Sequence, residues 1–163
     1  MFKVGVLTIS DKASRNERVD ESGKVIENIV ENFGYEVNYY NIIPDETKDI
    51  KSELIKCCDQ LKCDLVLTTG GTGFSKRDVT PEATLEVMTR NAFGISEAIR
   101  AYSMTITKRA MLSRAVSVIR NETLIVNLPG SPKAVKESLE YIIKDLDHGL
   151  KILKGVDSEC GGK

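Results

Sequence analysis

The sequence predicts an α/β domain of the three-layer αβα class, a mostly parallel sheet with helices on both faces and one antiparallel strand pair. Short apolar runs that predict buried strands lie at 4–9, 36–43, 65–68, 115–119 and 123–127. Helical patterns separate the first three, and strand–helix–strand order with short connections is typical of parallel sheets with right-handed crossovers. The last two runs are joined only by Arg120-Asn121-Glu122, which predicts the antiparallel pair.

Capping residues and apolar spacing predict where the helices begin and end. Ser22 is expected to cap a helix with an inward face from Val25 to Phe33, and Gly34 to end it. The first strand is expected to end in the segment 10–14, followed by a charged loop from Arg15 to Asp20. Further helices are predicted from Thr47 to about Leu61, from Thr80 to about Thr89, over 95–107, and from Ser131 onwards. Thr80 and Ser131 are read as N-caps because each is followed by proline, which suits the first helical position.

Length and composition predict a single domain over 1–155 with a flexible tail at 156–163. The chain has 163 residues, which suffices for one sizeable core. Its 23 basic and 24 acidic residues nearly cancel, so no nucleic-acid partner is indicated. No run approaches 18 apolar residues and no signal-peptide pattern opens the chain, so no membrane partner and a cytoplasmic location are expected.

The four cysteines, at 57, 58, 63 and 160, do not predict a structural zinc site. They form no CxxC pair, and His148 is the only histidine. Cys57 and Cys58 are expected to be small buried residues of a helix in a reducing compartment.

A glycine-rich turn is the strongest functional signal in the chain. The strand at 65–68 runs into Thr69-Gly70-Gly71-Thr72-Gly73, and Asp78 follows before the helix at Thr80. Glycines let backbone amides approach an anion, and ligands bind beyond the carboxyl ends of strands in open α/β sheets. Asp78 would repel a phosphate there unless a divalent cation lay between them. The turn therefore predicts a site for a phosphorylated ligand and a metal ion, with a ligand-free tight turn as the alternative.

Two common glycine motifs do not fit this turn. A dinucleotide-binding G-x-G-x-x-G starting at Gly71 would need glycine at 76, which is lysine. A phosphate-binding loop of the Walker type would end in Gly-Lys-Ser/Thr, whereas Gly73 is followed by Phe74. Lys76 and Arg77 are expected either to be solvated or to screen polyphosphate charge.

Three further turns are predicted to meet the glycine turn at the same sheet edge. They are Ser10-Asp11, Pro44-Asp45 and Asn127–Lys133, each of which follows a predicted strand. Gly130-Ser131 begins a helix and so offers an anion site, to which Lys133 can add a point charge. Taken singly, Asp11 and Asp45 could equally be ordinary turn residues.

Five segments carry a resemblance to a known family. They are TISDKAS at 8–14, IPDE at 43–46, TTGGTGFSKRDVTPEAT at 68–84, LSRA at 112–115 and NLPGSPKA at 127–134. In this order they resemble the MogA/MoaB family of molybdenum-cofactor biosynthesis, and the likeness covers residues 3–153. The chain lacks an insertion before the last helix that some members of that family have.

The resemblance implies a homotrimer that joins AMP from ATP to the phosphate of molybdopterin, with Mg²⁺, and releases pyrophosphate. It implies that Asp45 and Asp78 are the catalytic and metal-binding residues. The substrate-binding residues would be Ser10, Asp11, Thr69, Gly70, Gly71, Thr72, Gly73, Ser113, Pro129, Gly130, Ser131 and Lys133. A non-catalytic molybdopterin-binding or scaffold protein, and a general nucleotide phosphohydrolase, are the alternatives. All of these hypotheses that place a reaction here require Asp45 to lie close to Gly71.

Overall fold

The structure is a computed structural model that describes residues 1–156, and within them six strands form one sheet. The strands are β1 (Lys3–Ile9), β2 (Glu36–Ile43), β3 (Leu65–Thr69), β4 (Arg90–Asn91), β5 (Ser117–Arg120) and β6 (Thr123–Leu128), in the spatial order β2-β1-β3-β6-β5-β4. Strands β2, β1, β3 and β6 are parallel, and β5 is antiparallel to both of its neighbours. The predicted mostly parallel sheet with an antiparallel β5–β6 pair is confirmed.

Helices cover both faces of this sheet. They are α1 (Asp11–Ser14), α2 (Glu21–Asn32), α3 (Thr47–Ile55), α4 (Thr80–Val87), α5 (Phe93–Met104) and α6 (Pro132–Leu153), with a π-helical turn at Lys56–Gln60 and a 3₁₀ turn at Lys108–Leu112. Side chains alternate along each strand, so Leu65 and Leu67 pack towards α2, α5 and α6 whereas Val66 packs towards α3 and α4. The three-layer prediction is therefore confirmed.

The strand registers bring the carboxyl ends of the parallel strands to one level. Ile9 is paired with Ile43, Thr8 with Thr69, and Thr69 with Leu128. The turns that follow β1, β2, β3 and β6 consequently leave the sheet side by side, as expected for parallel neighbours.

Two of the predicted helix caps are wrong. Asp20, not Ser22, caps α2, because its carboxylate accepts the amide of Gly23 at 2.9 Å. The residue before α4 is Val79, which makes no side-chain cap, and Thr80 is already helical. Ser131 caps α6 as predicted, accepting the amide of Ala134 at 3.2 Å.

Several short elements were not predicted. The segment 10–14 after β1, for which no helix was predicted, contains α1, capped by the Ser10 hydroxyl. The helix expected to run from Thr47 to Leu61 changes to π-helical geometry at Lys56. Strand β4 and the 3₁₀ turn at Lys108–Leu112 were also missed, since pieces this short leave no periodic pattern in the sequence.

The cysteines are packed as small apolar residues. Cys57, Cys58 and Cys63 are free thiols and are buried beside β1 and β3. Cys160 and the predicted tail from 157 onwards lie outside the described residues. None of the helices within 1–156 combines the length and the apolar character that crossing a bilayer requires.

Candidate active site

A pocket of about 510 Å³ opens at the carboxyl ends of β1, β3 and β6. Its walls come from the loop before α2, from the turns after β2 and β3, and from the start of α6. The predicted site residues that line it are Ser10, Asp45, Thr69, Gly70, Gly71, Asp78, Gly130 and Ser131. Four segments far apart in sequence therefore meet here, as the strand registers require.

The glycine turn requires its glycines. Gly70 and Gly71 have φ angles of +96° and +69°, a region that L side chains rarely adopt. A Cβ at Gly70 would lie 2.2 Å from the carbonyl oxygen of Ile9, and one at Gly71 would lie 2.3 Å from Thr80 Oγ1. The position of that Gly71 Cβ is also only 3.1 Å from Asp45 Oδ1. Asp45 therefore lies against the glycine turn, as the functional hypothesis required.

Some backbone amides of the glycine turn, which was predicted to bind phosphate, already bind a side chain of this chain. The amides of Gly73 and Ser75 both donate to Asp78 Oδ2, each at 3.1 Å. Within residues 1–156, the amide of Gly71, which lines the pocket, has no hydrogen-bond acceptor. The available donor is therefore the amide of Gly71, and the amides at the end of the turn hold Asp78.

Buried hydroxyl groups fix the orientation of the peptide groups around the pocket. Thr80 Oγ1 donates to the carbonyl of Gly70 at 2.9 Å. Thr69 Oγ1 donates to the carbonyl of Pro129 at 2.6 Å, and Ser22 Oγ donates to that of Gly130 at 2.7 Å. The hydroxyl of Thr69, a residue predicted to bind substrate, is therefore hydrogen-bonded to the turn after β6.

Asp45 and Asp11 hold each other through reciprocal hydrogen bonds. The amide of Asp11 donates to Asp45 Oδ2 at 2.8 Å, and the amide of Asp45 donates to Asp11 Oδ1 at 3.0 Å. Arg77 donates two hydrogen bonds of 3.0 Å to the Asp11 carboxylate, and its Nη2 atom lies 2.8 Å from Glu46 Oε1. Arg77 thus links the turns after β1, β2 and β3, while about half of its side chain stays exposed to solvent, as one interpretation expected.

The two carboxyl groups respond to these surroundings in opposite directions. Burial raises the pKa of Asp45, and the negative charges of Asp11 and Asp78 add to the rise. The Arg77 guanidinium lowers the pKa of Asp11 through its hydrogen bonds. The Asp45 carboxylate therefore lies close to the negative charges of Asp11 and Asp78, which a bound cation would offset.

Some predicted site residues do not line this pocket. Ser113 and Pro129 line a second, mainly apolar cavity of about 230 Å³ between α5, β6 and α6. Lys133 is largely exposed and lies 3.8 Å from Glu137. The Asp11 side chain binds Arg77, and Thr72 and Gly73 are not among the residues that line the pocket.

Sequence reasoning missed the wall formed by residues 18–22. Asp20 lines the pocket and accepts hydrogen bonds from Thr8 Oγ1 at 2.7 Å, from the amide of Gly23, and from the hydroxyl of Tyr40. Burial and the bond to Asp20 raise the pKa of Tyr40. An acidic residue three positions before a glycine at a helix start was the available signal, and the nearby Ser22 was preferred to it.

A metal ion would find two carboxylates from this chain. Asp45 and Asp78 both line the pocket, and in the part of the chain that the structure describes no cluster of three or more acidic, histidine or cysteine side chains is arranged to hold a metal. Two carboxylates suit Mg²⁺, which keeps several waters and takes its remaining ligands from substrate phosphates.

Comparison with known proteins gives consistent matches. The family model described as a probable molybdopterin binding domain matches residues 5–148. The molybdopterin adenylyltransferase of Helicobacter pylori is 42% identical over 156 residues, which cover 93% of this chain and 88% of that protein. The one from Haemophilus influenzae is 44% identical over 163 residues, covering 97% and 80%. The structure of the molybdopterin biosynthesis enzyme MoaB from Thermus thermophilus matches with a TM-score of 0.90 and 44% identity, covering 95% of this chain and 98% of that one.

Proposed function

This chain belongs to the family of molybdopterin-binding domains of molybdenum-cofactor biosynthesis, and we propose that it is a molybdopterin adenylyltransferase. The observation that carries the proposal is the meeting of Asp45, Asp78 and the glycine turn in one pocket. The names of its relatives support a nucleotidyltransferase, and the presence of both aspartates favours an enzyme over a non-catalytic scaffold.

The reaction brings two anions together. An oxygen of the molybdopterin phosphate attacks the α-phosphorus of ATP, a new P–O bond forms, and the bond to the β-phosphate breaks so that pyrophosphate leaves. The barrier is largely electrostatic, so binding the two substrates in line and stabilising the developing charge accounts for most of the catalysis. No covalent enzyme intermediate is needed, and the buried Cys57, Cys58 and Cys63 lie outside the pocket.

The glycine turn would hold phosphate oxygens. Gly71 lines the pocket, and its amide has no acceptor within residues 1–156. A donor of this kind contributes roughly 3 kcal/mol when it is aimed at transition-state charge. The Thr80 and Ser22 hydroxyl groups keep the carbonyls of Gly70 and Gly130 engaged, so these peptide groups cannot rotate to present oxygen to an anion.

Asp45 and Asp78 would hold Mg²⁺. Burial, with the nearby charges of Asp11 and Asp78, raises the pKa of Asp45. The Asp78 Oδ1 atom makes no hydrogen bond within residues 1–156, so two carboxylates with an available oxygen fit a divalent cation. When bound, the metal would neutralise phosphate charge and orient the leaving pyrophosphate. The carboxylates themselves are held in place by the amides of Asp11, Gly73 and Ser75.

The remaining parts of the proposal rest on the family. The protein would act as a homotrimer in the cytoplasm, as a single domain over 1–155. The residues that would bind ATP or molybdopterin include Ser10 and Ser131 of the pocket and, outside it, Asp11, Thr72, Gly73, Ser113, Pro129 and Lys133. Sedimentation equilibrium of the full chain tests the oligomer, with a mass three times that of the 18.0 kDa chain expected.

The activity is tested by incubating the purified protein with molybdopterin, ATP and Mg²⁺. Adenylyl-molybdopterin and pyrophosphate should form in equal amounts. A second reaction without molybdopterin should release neither AMP nor pyrophosphate, and ATP breakdown there would favour a phosphohydrolase. Molybdopterin binding without AMP transfer would favour the scaffold and contradict the enzyme.

A further inference from the structure

The loop between Gly73 and Asp78 is held by an arginine from a distant part of the chain. Arg114 lies beyond the 3₁₀ turn and donates from Nε to the carbonyl of Gly73 at 2.8 Å. Its Nη2 donates to the carbonyl of Asp78 at 2.8 Å, and its backbone amide donates to the carbonyl of Thr72, also at 2.8 Å. One residue therefore contacts the beginning and the end of the loop that carries Asp78.

We propose that Arg114 is a positioning residue for the Asp78 carboxylate. The planar guanidinium has donors in a fixed fork, so it can span two carbonyls at a set distance in a way that a lysine cannot. Glu82, in the first turn of α4, forms an ion pair with Nη1 of Arg114 and orients the fork. The side chain of Arg114 does not line the pocket and acts on the chemistry only through the loop.

Backbone amides of the loop set the position of the Asp78 carboxylate. Asp78 Oδ2 accepts the amides of Gly73 and Ser75, and the amide of Asp78 donates to the carbonyl of Ser75 at 3.0 Å. If the carbonyls of Gly73 and Asp78 were released, these amides would move and the carboxylate would move with them. The loop is not part of a helix or strand, so the contacts of Arg114 replace the hydrogen bonds of secondary structure there.

Arg120 serves as a control for Arg114, because it makes similar contacts at the other end of the strands, where β6 begins. Its Nη1 donates to the carbonyl of Val87 at 2.9 Å, and its Nε and Nη2 bind Asp59 at 3.1 and 2.7 Å. It therefore combines a carbonyl and a carboxylate much as Arg114 does, but it lies far from the pocket. Loss of Arg120 tests what removing such an arginine does to the fold alone.

The first test measures amide hydrogen exchange by mass spectrometry in Arg114→Met, Arg114→Lys and Arg120→Met, with no substrate present. Peptides covering 72–78 should exchange at least about tenfold faster in both Arg114 variants and at the wild-type rate in Arg120→Met. Unchanged exchange in Arg114→Met, or equal acceleration in Arg120→Met, would overturn the proposal. Arg114→Lys keeps the charge, so it still decides the question should Arg114→Met fail to fold.

The second test connects the loop to catalysis and rests on the proposed function. In adenylyl transfer, Arg114→Met should lower kcat about a hundredfold and raise the half-saturating Mg²⁺ concentration about tenfold, whereas Arg120→Met should leave both unchanged. Wild-type kcat in a variant whose loop exchanges faster would overturn the positioning role. If the wild-type protein itself transfers no AMP, the proposed function fails, and the exchange result still decides whether Arg114 holds the loop.

Discussion

Two turns leave neighbouring strands at the same edge of the sheet, yet they are built differently. The turn after β3, residues 70–79, carries a carboxylate and leads into α4 without a side-chain cap. The turn after β6, residues 129–131, is short and leads into α6 through the Ser131 cap. Both have a hydroxyl residue followed by proline, so the same pattern produced two different structures.

The difference comes from the partner that each hydroxyl group finds. Ser131 accepts the amide of Ala134 in its own helix, whereas Thr80 donates to the carbonyl of Gly70 across the turn. In the first case the side chain stabilises the helix, and in the second it fixes the turn. In the longer turn, the hydroxyl group before the proline thus stabilises the turn and not the helix that follows. The predictions below test this difference between the two turns.

The largest effect is expected from the carboxylate that only the turn after β3 carries. Asp78→Asn keeps an oxygen that can accept the amides of Gly73 and Ser75, so the fold should be retained. Adenylyl transfer should nearly vanish because the negative charge is lost, while molybdopterin binding stays mostly intact. Steady-state kinetics and a binding titration check this, and turnover above about a tenth of wild type, a change of only about 1.4 kcal/mol, would show that the carboxylate is not central.

The next largest effect compares the glycines of the two turns. Gly71→Ala places a Cβ 2.3 Å from Thr80 Oγ1 at a positive φ, so it should lower the free energy of unfolding by about 2 kcal/mol. In Gly130→Ala the nearest atom, Gly70 Cα, would lie 3.7 Å away, an ordinary contact, so a change within about 0.5 kcal/mol is expected. Urea denaturation of both variants provides the comparison, and equal losses would contradict it.

A smaller effect distinguishes the two hydroxyl groups. Ser131→Ala should cost about 1 kcal/mol of unfolding free energy through the lost cap, and Ser131→Asp should restore it. Thr80→Val should cost about 1 kcal/mol through the lost bond to Gly70, and Thr80→Ser should restore it. Thr80→Val should also raise KM for ATP, since it releases the glycine turn. An increase of KM in Thr80→Ser as large as in Thr80→Val would contradict this.

The smallest effect is a pH dependence at Asp45, which contacts the turn after β3. Burial raises its pKa above the ordinary value of 3.8, so above that pH the unfolded chain loses the proton first and the folded protein holds more protons. The contribution of Asp45 to wild-type stability therefore falls as pH rises through this interval. Asp45→Asn removes the effect, so its unfolding free energy relative to wild type should increase from about pH 4 towards neutrality.

Asp11 contributes with the opposite sign, because Arg77 lowers its pKa and its stabilisation is lost on acidification. Asp11 is present in the wild type and in Asp45→Asn, so subtracting the unfolding free energies of these two proteins at each pH removes most of its contribution. Thermal unfolding of both proteins across the pH range is the measurement. A difference that is flat, or that shrinks as pH rises, would contradict the assignment.

The sequence predicted the elements whose patterns are long and whose interactions are local. Strands β1, β2 and β3 and helix α6 have clear apolar periodicity, and parallel order then brought the turns at Asp45, Gly71 and Gly130 to one edge. The two-residue β4 has no such pattern, since its existence depends on pairing with β5. Propensity does not determine contacts of that kind.

What the sequence could not predict is which polar side chain serves which backbone group. Asp20 and Ser22 are both suitable caps, and Asp20 is chosen because Thr8 and Tyr40 also bind its carboxylate. Ser22 is thereby free to reach Gly130, and Arg114 reaches Gly73 from far along the chain. These choices depend on tertiary neighbours, which single-sequence reasoning does not supply.

The close approach of Gly70 and Gly130 has a consequence for how such a protein can change. A Cβ at Gly130 would lie 3.7 Å from Gly70 Cα, and Thr69 ties its hydroxyl to Pro129, so the two turns touch through their main chains. The separation of the two turns is therefore set by the spacing of adjacent strands. Replacing the side chains that line the pocket would change its walls, but the distance between the two main chains stays constant while the sheet is intact.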